Sequence, residues 1–196
     1  MIDNKYFEFN RNDKIFDSKT ILSEKINLNY LVEIESSKKN KYDFYFVKHE
    51  SDYLNIKVSK KDIYKTSIND DKWLYWNLKK TNKDLLATFS KIDEYFENYQ
   101  SNVQGKKYVP LLREDNSGYP YIKTRLFRNW PDENLITKVY LKDFYTGQIE
   151  EKTIESFEEF EDYLKGASEF IVFPSKLFIT EEYYGVSLRI KSLLLE

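Results

Sequence analysis

Residues 118–130 alternate with the period of a β-strand, which places Tyr121, Lys123, Arg125 and Phe127 on one face and Ile122, Thr124 and Leu126 on the other. A face made only of aromatic rings and cations has a defined chemistry. Rings stack on bases, each contributing about 1–3 kcal/mol whatever the base, while Lys and Arg track phosphates, so the face suits single-stranded nucleic acid. The plain alternative is that Tyr121 and Phe127 pack beneath a neighbouring loop. Residues 135–142 repeat the pattern, with Lys138, Tyr140 and Lys142 opposite Thr137, Val139 and Leu141. The link between the segments contains Arg128, Trp130, Pro131 and Asn134 and suits a hairpin connection. The two strands are therefore expected side by side, sharing one basic-aromatic surface. Residues 72–78 add Trp73 and Tyr75 opposite Leu74, Trp76 and Leu78, and Arg113 precedes the turn at 114–118 that feeds the first strand. Between residues 105 and 145 eight Lys/Arg stand against five Asp/Glu, about +3, in a chain whose formal charge is −2.

The elements that must position these residues are legible in outline. Strand signals at 31–35, 42–47 and 53–58, separated by polar turns, predict an antiparallel meander. A patch at Tyr6, Phe7 and Phe9 suits an edge strand. Thr81-Asn-Lys-Asp84 reads as a capping box, and Leu85, Phe89, Ile92 and Phe96 recur at helical spacing up to about Tyr99. A second helix is expected from near Ser156 to Lys165, with Ser156 and Glu159 as its capping box, Phe157, Phe160 and Leu164 as its buried stripe, and Gly166 at its C-cap. Eight acids against two lysines between 150 and 169 keep that helix away from any phosphate path. The chain closes with strands at 169–173, 176–180 and 184–194; in the last, Val186, Leu188 and Ile190 oppose Arg189 and Lys191.

Composition narrows the field further. A chain of 196 residues is expected to form one domain, with residues 1–80 as N-terminal strands belonging to it or elaborating it. The absence of cysteine excludes disulfides, thiolate metal sites and a cysteine nucleophile, and the single His49 excludes a multi-histidine metal site. No apolar run reaches membrane-spanning length and no secretory segment opens the chain, so an intracellular protein without a membrane partner is expected. Seventeen Tyr and fourteen Phe lean towards β-structure, but an AT-rich coding sequence also favours them, so placement carries more weight than abundance.

Tyr108-Val-Pro-Leu-Leu-Arg113, then Tyr121-Ile-Lys-Thr-Arg-Leu126, a second helix, Phe170-Ile-Val-Phe-Pro-Ser-Lys-Leu-Phe-Ile179 and Tyr184-Gly-Val-Ser-Leu-Arg-Ile-Lys191 follow in order. Over residues 81–196 this arrangement resembles the oligonucleotide-binding-fold (OB-fold) single-stranded DNA-binding proteins of bacteriophages and large DNA viruses. The resemblance implies a mainly β, α+β chain with two or three helices, built as a partly closed antiparallel OB-like barrel with the N-terminal meander as an extension. It implies single-stranded DNA as partner, replication proteins as further partners, work in viral or mobile-element replication and recombination inside a host cell, no cofactor and no enzymatic activity. By position, Lys123 and Arg125 match the family's basic strand residues, and Gly185 matches the glycine that opens its final strand.

Two rivals stand beside this reading. A protein-interaction module, such as a viral inhibitor of a host factor, would show an exposed aromatic patch without accompanying cations. A metal-dependent nuclease would use Asp132, Glu150 and Lys152, which needs the two acids on neighbouring strands, whereas the sequence places Asp132 in a turn.

Overall fold

The computed structural model describes residues 54–69, 73–99, 103–126, 137–154 and 156–196, together with the backbone of 36–38 and 43–46. The patch at Tyr6, Phe7 and Phe9, the strand expected at 31–35, His49, and the link carrying Phe127, Arg128, Trp130 and Asp132 lie outside these residues. Among the described residues the elements run β1 Ser36–Lys38, β2 Asp43–Phe46, β3 Ile56–Ser59, β4 Ile63–Ile68, β5 Leu74–Leu78, α1 Lys83–Glu97, β6 Lys107–Val109, β7 Arg113–Glu114, β8 Pro120–Leu126, β9 Lys138–Lys142, β10 Ile149–Lys152, α2 Phe157–Gly166, β11 Glu169–Ile179 and β12 Tyr183–Leu195. The chain is thus mostly β with two helices, an α+β arrangement.

The apolar C-terminal sequence makes the two longest strands, and the hairpin they form is the frame for the others. A long strand offers more edge than one short partner can use, so both outer edges are tiled. Along β11, β3 pairs with residues 169–172 and β2 with residues 176–179. Pro174 falls between those stretches, at a register shift where Ser175 is the extra residue and donates its hydroxyl to the Ser187 carbonyl at 3.0 Å. A proline has no N–H to offer a neighbouring strand, which is why it sits in such an interval. The meander expected at 42–47 and 53–58 is therefore corrected: β2 and β3 lie end to end on β11 instead of pairing with each other.

Along β12 the same device recurs with β6, β8 and β9, all parallel to it. Strands β8 and β9 run in one direction, so the hairpin expected between them does not form. Leu126 pairs with Ile190 and Lys138 with Ser192, so along β12 strand β9 resumes almost where β8 stops. Two side chains mark the break. Arg189 donates to the Leu126 carbonyl at 3.0 Å, and Thr137 donates to the Ile190 carbonyl at 2.6 Å. The sheet is consequently mixed, and its path β1-β2-β11-β12-β8-β5-β4 is open among the described residues. Strand β4, which the sequence did not announce, forms the last position of that path. Its Lys, Thr and Ser side chains suit an exposed strand and hide the alternation.

One face of the sheet carries the core. Leu85, Phe89, Ile92 and Phe96 of α1 and Phe160 and Leu164 of α2 pack in one cluster with Trp76, Ile122, Leu126, Leu188 and Ile190. The helix caps follow sequence with one shift: Asn82, not Thr81, accepts the Leu85 N–H at 3.0 Å, while Ser156 accepts from Glu159 at 3.1 Å as expected. Gly166 is the last helical residue, not a left-handed cap, and Leu195 packs where a side chain would go. Asp93 ties α1 to the segment entering β7, accepting from Tyr108 Oη at 2.6 Å and from the amides of Leu111 and Leu112. Burial nevertheless pushes its carboxyl above the usual carboxylate range.

Two substitutions test this architecture. Leu126→Ala should cost about 2–5 kcal/mol, since it empties a core position. Gly185→Ala should cost about 1–3 kcal/mol, because the new Cβ would lie 2.9 Å from both the Phe178 ring and the Val109 carbonyl, where backbone cannot yield cheaply. Urea denaturation of each variant measures both.

Candidate nucleic-acid interface

Opposite the helices lies the other face of the sheet. The alternation in β8 is as the sequence requires, with Ile122, Thr124 and Leu126 buried and Tyr121, Lys123 and Arg125 partly exposed. Strand β5 pairs beside it, bringing Tyr75 opposite Lys123 and Asn77 opposite Tyr121. Trp73 immediately precedes β5. Its backbone is held by Asn69, whose side chain accepts the Trp73 N–H at 2.9 Å and whose own N–H donates to the Trp73 carbonyl.

Rings and cations interleave across these two strands. Lys123 Nζ lies 4.2 Å from the Trp73 ring centre and 5.2 Å from that of Tyr75, and the Arg125 guanidinium stacks 3.9 Å over Trp73. Tyr75 and Tyr121 are tilted neighbours at 6.2 Å. Each such cation–π contact contributes about 0.5–1 kcal/mol at an exposed site and fixes where the charge sits. A guanidinium stacked this way uses its flat face on the ring, and the Arg125 Nε lies buried. Arg113 borders the group as the register partner of Tyr121 and donates from Nε to the Pro110 carbonyl at 2.9 Å.

The patch continues onto β12 and β11. Arg189 is the register partner of Arg125, and Lys176 pairs with Ser187 on the same face. Burial, with the Arg189 charge adding to it, holds the Lys176 ammonium below its ordinary pKa. The sequence shows Arg189 and Lys191 on one face of the last strand, but only the parallel pairing of β12 with β8 brings Arg189 beside Arg125.

Strand β9 does not extend this patch. Tyr140, expected on the exposed face, is 0 % exposed and packs with Ile171, Leu194 and Ile149. Its neighbours come from the β9–β10 hairpin, from β11, and from β12 beyond a bulge at Lys191, pairings that no local alternation encodes. Burial, and secondarily the Glu151 carboxylate, pushes the Tyr140 hydroxyl upward. Lys138 bonds Glu151 at 2.8 Å, and Lys142 lies 3.6 Å from Glu196, so the cations of β9 face acids. Glu150 pairs with Leu141 and Lys152 with Val139 on β10. Phe127, Arg128 and Trp130 belong to the undescribed link.

Two aromatic features were not singled out from the sequence. Tyr64 and Tyr119, 64 % and 38 % exposed, stack on each other near the Tyr121 end of the patch. Tyr119 continues the alternation of Tyr121 by two residues and was readable; Tyr64 sits where β4 shifts register, and was not. Phe144 and Tyr145, 88 % and 92 % exposed, form the tip of the β9–β10 hairpin. The chain matches no protein-family model and no curated protein.

The charge arrangement makes a measurable prediction. Arg189→Ala should raise the Lys176 pKa towards its ordinary value, because it removes a neighbouring cation while leaving most of the burial. NMR titration of the Lys176 side chain checks the direction.

Proposed function

We propose that this protein binds single-stranded DNA with little sequence preference through the face of its sheet opposite α1 and α2. The observation that carries the reading is the interleaving of Trp73, Tyr75 and Tyr121 with Lys123 and Arg125 across β5 and β8. Such a face offers ring surface to bases and fixed cations to phosphates without selecting a base edge. Coating of exposed strands during viral or mobile-element replication or recombination is the role this chemistry suits, without an enzymatic step or a cofactor. An OB-like barrel is part of the same reading. Its support is the order of motifs, with Lys123 and Arg125 on a central strand and Gly185 where β12 passes close to Val109 and Phe178. Replication proteins are the further partners it entails.

One observation favours a second reading, a protein-interaction module. Phe144 and Tyr145 present two nearly perpendicular rings to solvent on a turn that Asp143 fixes by accepting the amides of Tyr145 and Thr146. The residues flanking that tip include Asp143, Glu150 and Glu151. This is an exposed aromatic pair with three acids and one cation, Lys142, around it, and a protein partner can use such a patch.

Fluorescence anisotropy with labelled oligo-dT tests the first reading and predicts binding that weakens with salt. A slope of about −0.7 per phosphate neutralised makes Arg125→Ala lower the magnitude of the slope by about 0.7. Tyr121→Ala should instead cost on the order of 1–3 kcal/mol at unchanged slope, because a ring releases no counterion. No binding at low salt by the pure protein would sink the proposal, and a loss only on Phe144→Ala would move the strand from the β5–β8 face to the hairpin tip.

A further inference from the structure

Tyr64 and Tyr119 are presented by two separate irregularities of the backbone. Strand β4 shifts register between Ile63 and Lys65, so Tyr64 is an extra residue with no partner position on β5. A bulge of this kind re-aims a side chain. Tyr119 follows Gly118, whose φ of +72° is the left-handed conformation that favours glycine. Asp115 holds that turn by accepting the amides of Ser117 and Tyr119 on Oδ1, both at 2.9 Å. Its Oδ2 accepts from Asn77 at 2.7 Å, which ties the turn to β5. The two rings meet with centres 5.2 Å apart and planes 6° from parallel, and Lys80 Nζ lies 5.4 Å from the Tyr119 ring centre.

A core gains little from rings left this exposed, yet both carriers are rigid. Tyr119 shares the alternating face of Tyr121, Lys123 and Arg125, six residues from Arg125, which is about 20 Å of strand. A flat π surface with a cation beside it, at the end of a basic-aromatic path, fits one ligand best: an unpaired nucleobase with its phosphate. We infer that the stacked Tyr64–Tyr119 pair forms a platform on whose open ring face the terminal nucleobase of a single strand lying on the β5–β8 face stacks, with Lys80 serving the adjoining phosphate. The inference rests on the reading of that face as a single-strand path and extends it by one defined subsite.

The test uses the full chain and oligo-dT in which a single abasic nucleotide is moved along the strand. Wild type should lose about tenfold in affinity when the abasic position falls at the platform, the size expected for one stacked base. Tyr64→Ala and Tyr119→Ala should each weaken the unmodified strand by a similar factor and make that abasic position silent, whereas Tyr64→Phe should retain wild-type behaviour. Denaturant midpoints close to wild type confirm that the variants are folded, as expected for exposed rings. Wild-type protein that binds oligo-dT alongside alanine variants that bind it equally well would overturn the platform and leave the path intact. Capture of a peptide or protein ligand by the pair in that case would reassign it. Wild-type protein that does not bind oligo-dT would overturn both.

Discussion

The register between β11 and β12 is the constraint on which the rest of the structure depends. It is set by burial, since both strands are apolar along most of their length and slipping by one residue would turn that apolar set outwards. Two bulges adjust it. Ser175 beside Pro174 opens the interval between β2 and β3, and Lys191 reverses the faces of the last turns of β12, so that Leu193 enters the main core and Leu194 packs on Tyr140. Once the hairpin is fixed, parallel pairing along β12 fixes β8, antiparallel pairing along β8 fixes β5, and the interleaved rings and cations follow.

That hierarchy explains what could be read from the sequence. The faces of β8 were legible because one short strand with a buried side obeys a period of two, and Ile122, Thr124 and Leu126 are the buried side. The two helices were legible from Leu85, Phe89, Ile92 and Phe96, and from Phe160 and Leu164, because their stripes are long enough to stand above the background. The partner of each strand was not. Nothing local distinguishes a hairpin between β8 and β9 from an interrupted strand laid along β12, since both give the same alternation at 120–126 and 138–142. The signal that existed was length: β12 is nearly twice as long as β8 and more than twice as long as β9, and a long apolar strand must find several neighbours.

The candidate site moved for the same reason. Lys138, Tyr140 and Lys142 have the right alternation, but β10 and the C-terminal residues cover or neutralise them. Trp73, Tyr75, Lys123 and Arg125 stay together because β5 and β8 are direct neighbours. Arg189 joins them through a pairing that spans more than sixty positions of sequence, beyond the reach of any motif. Among the described residues α1 and α2 pack on one side of the sheet, and the β5–β8 part of the other side combines ring and charge in alternating positions.

Amide hydrogen exchange with and without a short oligo-dT tests the central claim most directly, because it asks where a strand lies without altering the protein. Slowed exchange confined to residues 73–77 and 119–125 and the neighbouring part of β12, with the 143–148 turn unchanged, is the result predicted here. Protection centred on the 143–148 turn, or none anywhere at saturating oligonucleotide, would contradict it.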